Sequence, residues 1–182
     1  MRKIIGATVL LLASGYTFAA VDPNSPSVMS NFSYDYYEAR IGISPNTYGA
    51  GFSMSVHPNA HVIGRVDSEL EGDYDLTGGL GFHAPINNWA DFTGEMLVRM
   101  VDHDDSRGSD TGMELNLGVR QWLGPQLEVG GKVGYLSIYD DDDWLGAAYA
   151  RFHSTELFSV AAEARFNDTY DDQVILSARF KY

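Results

Sequence analysis

The chain has 182 residues, no cysteine and a formal net charge of −13. One domain fits this length, a disulfide framework is excluded, and an acidic chain with no exposed basic patch argues against a nucleic-acid partner. No stretch after the N-terminal segment approaches the ~18 continuous apolar residues that a membrane-crossing helix needs.

The first element reads as an export signal. Arg2 and Lys3 form a positive start, Ile4 to Leu12 a short apolar run, and Thr17-Phe18-Ala19 a small-residue cleavage pattern. Such a segment is too short and wrongly flanked to span a membrane as a helix. Residues 1–19 are therefore expected to be a signal peptide, cut after Ala19. No cysteine follows the cut, which excludes a lipoprotein. Residues 20–31, containing Pro23 and Pro26, read as an extended periplasmic lead-in.

From Phe32 onward the dominant signal is alternation. Ala90, Phe92, Gly94, Met96, Val98 and Met100 interleave with Asp91, Thr93, Glu95, Leu97, Arg99 and Val101. Phe158 to Phe166 and Val174 to Tyr182 repeat the pattern. Period two with one apolar and one mainly polar face is a strand. Ten strands are predicted, at 32–43, 48–57, 60–70, 74–84, 90–101, 112–122, 127–139, 144–153, 157–166 and 174–182. Most exceed the ~5–6 residues usual in soluble proteins and reach the ~9–11 that cross an outer membrane. The predicted fold is all-β, an antiparallel up-and-down transmembrane β-barrel of about ten strands over residues 32–182. Eight strands would result if the segments flanking Ser44-Pro45-Asn46-Thr47 fused or dropped out.

The charges sort by face and by end. The polar faces hold nine of the ten basic residues that follow the signal segment, with Arg107 the exception, and nine acids. The connections alternate between short, nearly neutral turns (57–60, 85–88, 124–126, 154–156) and a second class holding thirteen acids. Alternating turn classes are what an up-and-down barrel predicts, because successive turns lie at opposite ends.

The alternating hairpins, the Gly-rich aromatic strand around Gly78-Gly79-Leu80-Gly81-Phe82 and the terminal strand Val174 to Tyr182 resemble the small porin-like outer-membrane β-barrel superfamily of Gram-negative bacteria. The resemblance implies location in the cell outer membrane, contact with its lipid and lipopolysaccharide, and both termini in the periplasm. It also implies recognition of the last strand by the barrel-assembly machinery, although Tyr182 stands where the superfamily usually ends in Phe. Tyr48, Tyr74, Tyr139, Trp144 and Phe166 would form the outer aromatic girdle.

Three kinds of chemistry are conceivable. First, a lumen ion-pair network is expected from Glu38, Arg40, Arg65, Asp67, Glu69, Glu95, Arg99, Glu114, Arg120, Glu128, Lys132, Arg151, Glu163, Arg165, Arg179 and Lys181, with Asp75 and Asp91 on the same faces. So many charges in a narrow barrel must pair to offset desolvation. Balanced charge favours a structural staple over a selective conduit. Second, Asp104, Asp105, Asp140, Asp141, Asp142 and Asp143 could hold a divalent cation at the acidic rim. The calcium-loop pattern fails there, since Arg107 stands where the turn glycine belongs, and a solvated rim with no metal is the expectation. Third, His153-Ser154 and His103 are the sole hints of catalysis and carry no nucleophile motif. The leading expectation is a non-enzymatic outer-membrane barrel without cofactor, in a structural or surface-interaction role. A small channel for ions or solutes is the first alternative and a lipid A-modifying enzyme the second.

Overall fold

A computed structural model describes residues 30–70, 73–102, 109–138, 141–168 and 171–182; for Asp141, Asp142, Asn167 and Asp171 only the backbone is described. The expected signal peptide, most of the lead-in, His103, Asp104, Asp105, Tyr139 and Asp140 lie outside these residues.

Ten strands form: β1 (Tyr36–Ile43), β2 (Thr47–His57), β3 (Ala60–Ser68), β4 (Tyr74–Asn87), β5 (Ala90–Asp102), β6 (Ser109–Trp122), β7 (Leu127–Ile138), β8 (Asp141–His153), β9 (Phe158–Asp168) and β10 (Asp171–Lys181). Each pairs antiparallel with its sequence neighbours, and β1 pairs with β10, closing the barrel. Closure leaves no sheet edge unpaired. The eight-strand alternative is thereby excluded: Ser44-Pro45-Asn46 is a turn that joins two separate strands.

The period-two pattern resolves into an outside and an inside. Tyr37, Ile41, Phe52, Met54, Leu80, Phe82, Met96, Leu117, Val133, Phe152, Val160 and Phe180 are all exposed on the exterior. Apolar exposure on this scale is not tolerated in water and matches the lipid-facing band of a membrane barrel. Of the expected girdle residues, Tyr48, Trp144 and Phe166 are exposed on this face.

The inside is filled, as expected for a small barrel. Leu97, Ile63 and Ile175 are nearly inaccessible apolar positions among the inward polar groups. Inward glycines face large side chains: Gly81 lies against His61, Gly130 against the Tyr149 ring, and Gly134 against Asn116. A side chain at any of these glycines would occupy space that its neighbour already fills.

Every strand's bounds differ from the sequence reading by one to four residues, and two of these shifts bear on the lumen. β1 starts at Tyr36 rather than at residue 32, and β9 runs on to Asp168, inside what reads as an acidic loop. Both changes place residues in the lumen.

Candidate functional site in the barrel lumen

Inward side chains form three tiers along the barrel axis. At the end carrying the short turns, Ser30 to Asp35 tucks into the mouth instead of extending β1. Phe32 stacks on Trp122, with ring centroids 5.4 Å apart. Tyr34 stacks on His83 at 3.8 Å and lies against His61 at 4.6 Å. The Arg120 guanidinium sits over both Phe32 and Tyr34, at 4.6 and 4.7 Å, a cation–π arrangement strengthened by desolvation. The Tyr34 hydroxyl donates to Asp91 at 2.8 Å, and the Ser30 hydroxyl donates to the same carboxylate. Burial holds the Tyr34 phenol above its ordinary pKa, so it stays a donor. Behind this segment, fully buried Glu128 accepts from Arg120 at 3.0 Å and Tyr149 at 2.7 Å, and meets His153 at 2.9 Å.

In the middle tier, carboxylates are shared. Glu38 accepts from Arg151 at 3.0 Å and Arg179 at 2.7 Å. Glu95 meets Arg65 at 3.1 Å and Lys132 at 3.3 Å and accepts from Asn116 at 2.8 Å. Arg179 also lies over the Tyr36 ring at 3.6 Å.

The third tier, toward the longer loops, centres on Arg99. It pairs with Asp75, with Glu114 at 3.1 Å and with Asp168 at 2.5 Å. Arg165 pairs with Glu163 at 2.5 Å and Asp168 at 2.9 Å, and Arg40 approaches Asp67 at 3.3 Å. Such multidentate guanidinium–carboxylate contacts are the strong class of hydrogen bond.

Fourteen of the sixteen charged positions named for the lumen thus enter ion pairs. Glu69 and Lys181 pair with no other described residue within ion-pair distance. Asp168 is a member that loop-like sequence conceals: Asn167 and Asp171-Asp172 around it read as turn residues. Phe32 and Tyr34 were equally hidden, because their alternation with Ser33 and Asp35 continues the pattern of β1. Asp143 is exposed at the rim, and among the described residues no group of three or more potential metal ligands converges. His153 points inward to Glu128 whereas Ser154 is exposed in a turn, so the adjacent pair does not form a nucleophile with its base.

Between the tiers lie two cavities. The middle one, of about 100 Å³, is bounded by Tyr34 at one end and Arg40 at the other. The outer one, of about 20 Å³, lies among Arg99, Glu114, Arg165 and Asp168. At the ~30 Å³ that a water takes in the liquid, the first has room for about three waters, and the second exceeds the ~10–15 Å³ needed for one. The lumen has room for water at its centre and is constricted by the Arg99 cluster toward the longer loops, while a pocket of about 460 Å³ lies in the mouth beside Ser30 to Asp35.

This architecture is that of a closed, ten-stranded antiparallel β-barrel with an apolar exterior and a charged lumen. Among solved structures, the chain is similar to the KdgM porin (6% identity, 81% of this chain and 98% of that chain, TM-score 0.50). It is also similar to the KdgM porin in complex with disordered oligogalacturonate (7% identity, 81% and 98%, TM-score 0.50) and to the NanC porin (11% identity, 83% and 95%, TM-score 0.47). At these identities the likeness is one of fold. No family model and no curated protein sequence matches the chain.

Proposed function

We propose that the protein is a narrow outer-membrane channel, closed in this conformation by its own N-terminal segment. Both termini and the short turns face the periplasm, and the acidic loops face outward. The observation that carries this reading is the attachment of residues 30–35. The segment packs inside the mouth, yet its backbone-to-backbone hydrogen bond to the barrel is that from Tyr182 to Asp35 at 3.4 Å. Its other ties involve side chains: Asp91, His61, His83, Trp122 and Arg120 hold Phe32 and Tyr34, the Ser53 hydroxyl donates to the Tyr34 carbonyl, the Asn31 amide donates to the Asn88 carbonyl, and the Ser55 N–H donates to the Asp35 carboxylate. It can leave the mouth without breaking any strand pairing, and the middle cavity, which Tyr34 lines, lies directly behind it.

The second reading is a closed structural barrel. The Arg99 cluster favours it, because three carboxylates converging on one guanidinium narrow the opposite end. Planar-bilayer recording of the refolded protein separates the two. Wild type should show brief, small openings, and the double variant F32A/Y34A should show long-lived steps of higher conductance. If neither protein passes current after verified insertion, the channel reading fails and the structural one stands. Lipid A modification is left without support by the separation of His153 from Ser154.

A further inference from the structure

The middle cavity, of about 100 Å³, and the mouth pocket, of about 460 Å³, lie on either side of one side chain. Among the described residues, Tyr34 alone lines both. His61 belongs to the wall of the middle cavity and His83 to that of the mouth pocket. The Tyr34 ring lies between them, its centroid 4.6 Å from the first and 3.8 Å from the second. Phe32, by contrast, lines the mouth pocket and not the middle cavity. The barrier between mouth and middle cavity is thus one aromatic ring thick.

The segment that carries this ring is fastened separately from the ring itself. The Ser53 hydroxyl donates to the Tyr34 carbonyl, the Ser55 N–H to the Asp35 carboxylate, and the Asn31 amide to the Asn88 carbonyl. The ring is held by its two stacking contacts, by the Arg120 guanidinium and by the hydroxyl bond to Asp91 at 2.8 Å. None of the three segment ties passes through the ring, so a change of Tyr34 rotamer frees the ring and leaves the segment in place. The mouth pocket, which Tyr34 already lines, has the space to receive it. Asp91 is not stranded by the move, because the Ser30 hydroxyl donates to the same carboxylate oxygen.

We infer that Tyr34 is the gate residue, a single-ring septum that swings into the mouth pocket and admits small solutes to the middle cavity while the rest of the segment stays docked. An opening that breaks so few contacts is local and lies far below global unfolding in free energy. Toward the longer loops the Arg99 cluster leaves about 20 Å³, room for little more than one water, so the mouth is the wider approach. The inference rests on the channel reading for its purpose, but the barrier itself can be tested without current.

The chain has no cysteine, so Thr93→Cys on the wall of the middle cavity supplies a sole thiol there. The test is the rate at which iodoacetamide alkylates T93C in the folded, detergent-solubilised protein, read by intact mass, with heat-modifiable mobility confirming the fold. T93C alone should react slowly. Adding Y34A should speed alkylation about tenfold or more, and adding F32A should leave it within about twofold. Y34F keeps the stack but drops the tie to Asp91; it should give a smaller, several-fold rise, and it decides the matter should Y34A not fold. A T93C thiol that already reacts as fast as with Y34A overturns the septum, as does a Y34A or Y34F rate equal to that of T93C alone. An F32A rate matching that of Y34A overturns it too, because the barrier would then be the whole segment. Gated alkylation in a protein that passes no current keeps the septum and removes the channel reading. Ungated alkylation in a protein that conducts does the reverse.

Discussion

Replacing Arg99 by methionine removes a cation that three carboxylates share. The Arg99 side chain is 3% exposed, and those of Asp75, Glu114 and Asp168 are 3%, 6% and 12% exposed. Taking one partner from a buried ion pair costs ~3–5 kcal/mol, because the remaining charge is left uncompensated. Each acid here keeps a second contact: Asp168 with Arg165 at 2.9 Å, Glu114 with Asn116 at 2.6 Å, and Asp75 with Thr77 at 3.4 Å. These residual contacts place the expected loss near the lower bound, about 3 kcal/mol. With a urea dependence of ~1–3 kcal/mol per molar, the unfolding midpoint should fall by roughly 1–3 M. The assay is urea unfolding in detergent micelles, followed by tryptophan fluorescence and by heat-modifiable gel mobility. Adding D75N to R99M removes one stranded charge and should recover part of the loss. A decrease below ~1 kcal/mol for R99M, or no recovery on adding D75N, would refute the electrostatic account and leave packing as the source of stability.

Three further outcomes are expected. L117R puts a charge on the exposed exterior of β6; near mid-bilayer it should cost ~2–4 kcal/mol, read as loss of the heat-modifiable folded band in lipid vesicles, and an unaffected band would contradict the lipid-facing assignment. G130A sets a methyl group against the Tyr149 ring and should destabilise by ~1–3 kcal/mol; in a double-mutant cycle with Y149A this loss should largely vanish, and a fully additive pair would show that the glycine is not making room for the ring. D91N weakens the acceptor for Ser30 and Tyr34, so limited proteolysis near residue 30 should speed up several-fold while the barrel core resists; equal cleavage rates would mean that Asp91 does not hold the segment.

The barrel was legible in the sequence because its information is local. Ala90 to Val101 shows strand, face and lumen chemistry within twelve residues, and the same reading extends to Phe158 to Phe166 and Val174 to Tyr182. What was not legible depends on height along the barrel. Sequence places Glu95 and Asp75 on the same side of the sheet but cannot tell which tier each occupies, because that is set by the stagger between strands. The N-terminal plug was missed for a related reason. Phe32 and Tyr34 alternate as a strand would, and only the three-dimensional competition between pairing with β10 and stacking on Trp122 and His83 decides their place. Asp168 reads as a loop residue because Asn167 and Asp171-Asp172 carry turn chemistry, whereas pairing between β9 and β10 reaches as far as the Asp168–Asp171 pair.

The seam between β1 and β10 has a consequence for biogenesis. Tyr37 faces Phe180, Ile41 faces Leu176, and Glu38 bonds Arg179 across 141 positions of chain. None of these contacts can exist until the final residues have been added, so an incomplete chain remains an open sheet with two sticky edges. Contacts this distant in sequence also form slowly. Completion of the polypeptide and sealing of the wall are thus one event. A copy truncated by even a single strand should stay open, because the edge of β1 would lack its partner and Glu38 would lose Arg179.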